Sequence, residues 1–279
     1  MPLDEALARS RALWSVAADA WDREGDLIAA STRSVTDAVL EAAALRPGMR
    51  VLDVAGGTGD PGSRIAEAVG PGGRVVSTDL TPAMLAGARR RLGTRAVGLV
   101  ASAAEALAVR SGAFDAVVSR FGVMLFGDPA AGVREMLRAA RPGAPVVAAV
   151  WGTPEANPYL ALPIRESARV GGIPPADPDA PGVFRLAGSG KLAALFTAAG
   201  ARDVREERRR FTMEAPIPLD GFWPFLLRLA APQRAAVGSL PADVQARLAR
   251  AVTEAVAPFF ASGAMRFPAE MVVVRGVGH

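Results

Sequence analysis

The chain has 279 residues, 51% hydrophobic but only 6% aromatic, so a sizeable core built mostly from alanine, valine and leucine is expected. The absence of cysteine excludes disulfides, thiolate nucleophiles and cysteine-held metals, and the single histidine, His279, is the last residue and reads as a terminus rather than a catalytic group. The net charge is only +4 and every basic residue except Lys191 is an arginine scattered among acids, so the basic character reflects arginine's high pKa rather than a nucleic-acid-binding surface.

In chain order, Asp4 and Glu5 with no apolar stretch behind them do not read as a signal peptide, and no apolar run approaches the roughly 18 residues of a membrane span. A cytoplasmic chain without a nucleic-acid partner is therefore expected. Two helical segments, Leu3–Asp19 and Ser34–Leu45, precede an alternation of short apolar strands and amphipathic helices from residue 49 to 151. The strands read as Arg50–Val54, Arg74–Thr78, Ala96–Ala101, Phe114–Ser119 and Pro145–Trp151. Asp60-Pro61, Thr81-Pro82 and Asp128-Pro129 each place an N-cap residue before a proline that opens a helix. Continuously apolar strands imply burial on both faces, hence a parallel sheet with helices on each side. Beyond residue 152 the pattern loosens. Residues 153–187 read as a short helix and a loop, Gly190–Ala199 as a helix and Ala201–Thr212 as a strand. Two helices, Leu219–Ala230 and Ala242–Ala261, then precede a last strand, Arg266–Arg275.

The fold expected from this order is α/β, a doubly wound, mostly parallel, seven-stranded sheet in one domain. Residues 1–34 form a helical cap and 35–152 the cofactor-binding core. Residues 153–187 and 213–262 form a lid, and 188–212 with 263–279 return strands to the core.

The most informative stretch is Val51-Leu52-Asp53-Val54-Ala55-Gly56-Gly57-Thr58-Gly59-Asp60-Pro61, followed by Asp79 at the end of the second strand. A strand that breaks into a glycine turn and restarts as a helix builds a nucleotide-sized crevice. Gly57, Gly59 and Gly62 with Asp79 satisfy the dinucleotide fingerprint, so an NAD(P)-dependent oxidoreductase is one reading. Asp53 inside the strand end and Asp60 at the helix N-cap argue against it, because carboxylates there oppose a pyrophosphate. The same acids suit a cofactor that is cationic near the turn, such as a sulfonium.

The chain resembles the class I S-adenosylmethionine-dependent methyltransferases, and within them the ubiquinone/menaquinone C-methyltransferase branch. The likeness covers about residues 14 to 152. It rests on the glycine turn, on Ser77-Thr78-Asp79-Leu80-Thr81-Pro82-Ala83-Met84-Leu85, on Ala104-Glu105-Ala106-Leu107, on Phe114–Gly122, and on Arg141-Pro142-Gly143. The resemblance implies S-adenosylmethionine as cofactor. Ala55, Gly56, Gly57, Thr58 and Gly59 would approach its methionine part, Asp79 its ribose hydroxyls, and Leu80 and Met84 its adenine. Ala104 and Glu105 fall where the family lines the adenine edge, and Arg120 where it would face the methionine carboxylate or the substrate. Trp21 falls where the family folds a residue over the cofactor. Ala103 replaces an acid common in the family, which leaves adenine recognition to backbone, Ser102 or water.

Each of these residues also has a plainer reading. Asp53 can cap the glycine turn through backbone N–H groups, Asp115 can order the start of its strand, and Trp14 with Trp21 can be core. Tyr159 and Phe222-Trp223-Pro224-Phe225 belong to the lid, as packing or as substrate lining. With no internal histidine, either the substrate brings its own nucleophile or a carboxylate or Tyr159 serves as base, leaving Arg120 and Tyr159 as the catalytic candidates. No metal-ligand set is recognisable. Methyl transfer to a small-molecule acceptor is expected, and a catalytically inactive cofactor-binding module is the remaining alternative.

Overall fold

A computed structural model describes residues 3–175 and 177–278, so His279 lies outside the described residues. Three helices come first, α1 (Leu3–Arg23), α2 (Gly25–Ser31) and α3 (Arg33–Ala42). The alternating core follows as β1 (Arg50–Val54), α4 (Gly62–Val69), β2 (Arg74–Asp79), α5 (Pro82–Leu92), β3 (Val97–Ala101), β4 (Ala116–Arg120), α6 (Pro129–Ala139) and β5 (Pro145–Trp151). Then come α7 (Pro158–Gly171), α8 (Lys191–Ala198), β6 (Arg202–Ala215), α9 (Leu219–Leu229), α10 (Ala231–Gly238), α11 (Ala242–Val256) and β7 (Met265–Val277).

The strands form one seven-stranded sheet in the order β3-β2-β1-β4-β5-β7-β6. β1 to β5 are parallel, and β7 inserts antiparallel between β5 and β6. The order reverses at β1, which pairs with β2 on one side and β4 on the other. A crevice therefore opens above the carboxyl ends of these strands, where a doubly wound sheet binds ligands.

Both faces of the central strands are buried, as their continuous apolar sequences require. Val51, Val75, Ala116, Val118 and Val147 pack against Val35, Val39 and Ile65 of α3 and α4. Leu52, Val54, Val117, Val146 and Ala148 face the other way, against Val133 and Met136 of α6 and the C-terminal aromatics.

The structure departs from the sequence reading in four places. α2 and α10 are absent from the sequence reading, because each is only 7 or 8 residues long and neither has a capping side chain. The helix expected to be short is α7, 14 residues long. Pro158 sits in its first turn, where the missing N–H costs nothing, Pro163 lies inside it, and Gly172 stops it with φ +61°. β6 and β7 run to 14 and 13 residues and stay paired from Arg202↔Val277 to Ala215↔Met265. Finally, Asp60 is not a helix cap: α4 begins at Gly62 after Pro61, and the Asp60 carboxylate is turned toward Arg120. Of the other two proline-led starts, Asp128 accepts the Ala131 amide at 2.9 Å as expected, whereas the Thr81 side chain makes no cap bond.

Candidate active site

The glycine turn between β1 and α4 is built from backbone that few residues adopt. Ala55 and Gly57 have φ values of +58° and +56°, and Gly59 lies at +101°. A Cβ on Gly57 would meet nothing within 4 Å, so the turn leaves open space above that residue. On the opposite side the turn is packed to contact. A Cβ on Gly56 would overlap Ser77 Oγ and Asp53 Oδ2, and the Gly56 amide donates to Thr78 O at 2.9 Å. Only glycine fits there.

Asp79, at the end of β2, ties the turn to the adjoining loop. Its Oδ2 accepts the Gly57 amide at 3.0 Å and its Oδ1 accepts the Thr81 amide at 2.8 Å. Burial pushes this carboxyl up to about 6, against the pull of its bonds to Thr81 and Gly57.

Asp53 is fully buried beneath the turn. Its Oδ2 accepts the Ser77 hydroxyl at 3.0 Å, and its Oδ1 has no partner. It does not cap the turn through backbone N–H groups. Desolvation pushes its pKa up to about 7, opposed by Ser77 and Arg120 and reinforced by Asp60 and Asp79. Ser77 escaped sequence reasoning because a serine in an apolar strand looks like ordinary filler. The parallel register that sets Ser77 beside Asp53 is invisible without the fold.

Arg120, at the end of β4, has a side chain only 7% exposed. Nη1 lies 2.8 Å from Asp60 Oδ2 and donates to the hydroxyls of Thr32 at 2.7 Å and Thr36 at 3.2 Å. Nη2 donates to Asp60 O at 2.8 Å. The arginine thus clamps the start of α4 to α3, and both terminal nitrogens are engaged inside the protein.

Helix α1 covers the crevice. Thr58 donates to Trp21 O at 3.4 Å, Arg11 donates to Leu80 O at 3.4 Å, and Trp21 Nε1 donates to Leu229 O at 3.0 Å. Met84 is buried with Ala17, Ala18 and Ala231, with Trp14 and Trp21 packed against them. Asp22 receives Arg90 at 2.7 Å, and Asp26 pairs with Arg91. Trp14 and Trp21 meet edge to face at 5.7 Å, which is the packing expected of core residues.

Other polar residues near the crevice hold loops and strand ends. Glu105 Oε1 accepts the amides of Gly127 at 2.7 Å and Asp128 at 3.2 Å, fixing the loop into α6, while Ala104 is buried beside it. The Ser102 hydroxyl accepts the Ala108 amide at 3.0 Å. Asp115 accepts the Arg50 amide at 2.7 Å, which orders the strand starts as expected.

Tyr159 is 7% exposed and packs edge to face on Phe222 and Phe267, at 5.6 and 5.7 Å. Burial drives its phenol well above the ordinary value of 10.0, which removes it as a base near neutral pH. Phe121, at φ +61°, stacks on Trp151 at 4.2 Å beside Arg120, an aromatic wall at the ends of β4 and β5. Phe222, Trp223 and Phe225 are buried in the core. Among the described residues no group of three or more acids or histidines is arranged to hold a metal ion, and no helix is long and apolar enough to cross a membrane.

The crevice fits a cationic nucleoside cofactor better than a dinucleotide. Asp53 feels the charges of Arg120, Asp60 and Asp79, and the Arg120 guanidinium is itself paired with Asp60. Asp60 does not oppose a pyrophosphate as a helix cap, since Arg120 neutralises it, but the remaining acids Asp53 and Asp79 still do.

Comparison with known proteins agrees with this geometry. The model of the ubiE/COQ5 methyltransferase family matches residues 8–161. The demethylmenaquinone methyltransferase of Beutenbergia cavernae is 42% identical over 125 residues, 45% of this chain and 50% of that protein. The ubiquinone/menaquinone biosynthesis C-methyltransferase UbiE of Coxiella burnetii is 32% identical over 167 residues, 58% of this chain and 67% of that protein. The chain spans about half the length of the Beutenbergia relative. Among solved structures, the YcgJ protein of Bacillus subtilis superposes with a TM-score of 0.56 at 18% identity, over 88% of this chain and 99% of that one, a likeness of fold.

Proposed function

Since the chain belongs to the ubiE/COQ5 methyltransferase family, we propose that it transfers a methyl group from S-adenosylmethionine to a ring carbon of a quinol-like small molecule. The observation that carries this reading is the glycine turn braced by Asp79, with open space above Gly57 and acids below. Gly57 and Thr58 would line the methionine part of the cofactor and Asp79 the ribose hydroxyls. Leu80 and Met84 would border the adenine region, beneath α1.

When bound, S-adenosylmethionine supplies an electrophilic methyl group on a sulfonium. The chain's contribution is positioning, because no side chain in the crevice is a free base. Asp53 is sealed, both oxygens of Asp79 are held by the Gly57 and Thr81 amides, Tyr159 is held protonated, and Arg120 is committed to Asp60, Thr32 and Thr36. The acceptor must therefore bring its own nucleophile, as a quinol that enters already ionised would through its electron-rich ring, and the ring proton that the new methyl group displaces would pass to solvent. The quinone pathway is suggested by the names of the relatives, which describe those proteins.

Incubation with isotopically methyl-labelled S-adenosylmethionine and a demethylated quinol, followed by mass spectrometry, tests the proposal. Label on a ring carbon supports it. Bound cofactor with no labelled product across quinols, phenols and amines identifies an inactive binding module instead.

A further inference from the structure

The Asp53–Ser77 pair lies directly beneath the glycine turn. Asp53 is fully buried, one of its oxygens bonds Ser77, and the other has no partner. The turn rests directly on it: a Cβ at Gly56 would overlap both side chains, and one at Gly62 would lie 3.4 Å from Asp53 Oδ2. The charged groups facing it are Arg120 from β4, Asp60 from the approach to α4, and Asp79 from the end of β2. From α3 and the residue preceding it, Thr36 and Thr32 present neutral hydroxyls to Arg120. Asp53 therefore shares one guanidinium with Asp60, which is ion-paired to it, and feels Asp79 as a further negative charge in a region of low dielectric. Such an excess of buried negative charge is relieved by holding a proton or by admitting a cation.

We infer that Asp53, braced by Ser77, is a positioning residue that gives up its proton when a cationic cofactor enters the crevice above the glycine turn. The inference rests on the reading that this crevice takes S-adenosylmethionine. The proton passes from the Asp53 carboxyl to solvent, and the positive charge of the ligand takes its place in the local balance. The turn stays seated because Oδ2 keeps the Ser77 bond in either state. Burial, partly offset by Ser77 and Arg120, already holds the carboxyl near 7, so the exchange falls in the neutral range. Asp79, at about 6, is mostly ionised at pH 7 and contributes less there.

Titration calorimetry with S-adenosylmethionine and with S-adenosylhomocysteine, each in buffers of different ionisation enthalpy, counts protons released on binding. The wild type is expected to release a substantial fraction of a proton with S-adenosylmethionine near pH 7, and less with S-adenosylhomocysteine, which has no sulfonium. Asp53→Asn, which keeps the Ser77 bond and cannot ionise, is expected to lose most of that release. Ser77→Ala, which removes the bond favouring the carboxylate, is expected to move the release to higher pH. Normal binding heat without proton release, or equal release from Asp53→Asn, overturns the inference and leaves the methyltransferase reading standing. Should Asp53→Asn not fold, an unshifted profile in Ser77→Ala overturns it equally. No binding of either ligand at any pH overturns the cofactor reading and this inference with it.

Discussion

Asp79 and Gly57 stand 22 residues apart in the chain and are joined by a 3.0 Å hydrogen bond, carboxylate to backbone amide, that fixes the turn over β1 to the end of β2. The same carboxylate holds the Thr81 amide at 2.8 Å, so one side chain organises both loops that border the crevice. Asp79→Ala removes an acceptor from two amides and from the proposed ribose site. Hydrogen bonds to a charged group are worth roughly 1.5–3 kcal/mol each, which predicts cofactor binding weakened by on the order of 100-fold. Calorimetry with S-adenosylhomocysteine checks this, and unchanged affinity counts against the ribose role.

Gly56 and Gly57 are neighbours with opposite tolerances. Gly56→Ala drives a methyl group into Ser77 and Asp53, and is expected to cost at least about 3 kcal/mol in urea unfolding, at the upper end of overpacking effects. Gly57→Ala meets open space and carries only the strain of φ +56°, about 1–2 kcal/mol. A reversed order of the two variants would show that the turn is not seated on the Asp53–Ser77 pair.

Arg120 neutralises a largely buried Asp60. Arg120→Met leaves that carboxylate uncompensated, and the expected loss is about 3–5 kcal/mol. Adding Asp60→Asn to Arg120→Met is expected to recover part of it, because the two changes share one interaction. Additive losses in denaturant melts would show that the pair is not coupled.

Asp53 fixes the sign of a pH effect on stability. Its folded pKa, about 7, lies above the ordinary 3.8, so the folded chain binds the proton more tightly than the unfolded chain. That contribution is largest relative to the ionised state below about pH 4 and is progressively lost as the pH rises through 7. Asp53→Asn is therefore expected to melt higher than wild type at pH 8, with the gap shrinking by pH 5. Thermal melts at both pH values check it, and a gap of the opposite sign contradicts the burial argument.

Much of this architecture was legible in the chain itself. The strand–turn–helix order from Arg50 to Trp151, the turn at Gly56–Gly59 and Asp79 at the end of β2 all declare themselves through local periodicity and spacing. Partnerships made at long range did not. Arg120 carries the right charge at the right strand end, yet its engagement by Thr32, Thr36 and Asp60 depends on where α3 packs. Ser77 acquires its role only from the β1–β2 register. Tyr159 looked like a candidate base because it is the only tyrosine. Its surroundings, Phe222 and Phe267, come from segments more than 60 residues away.

Tyr159→Phe follows from that correction. The hydroxyl has no protein partner among the described residues and cannot ionise near neutrality, so methyl transfer is expected to change less than about 3-fold, well below the 10²–10⁴-fold contribution of a general base. A loss of 100-fold or more in turnover, with a changed pH profile, would restore the phenol as a base.

The central claim is that acids beneath a glycine turn select a cationic S-adenosyl cofactor over a dinucleotide. Calorimetric titration of the purified chain with S-adenosylmethionine and with NAD, at the same pH and salt, tests it most directly. The expected result is saturable binding of S-adenosylmethionine with no heat from NAD. Saturable NAD binding with no response to S-adenosylmethionine would contradict it.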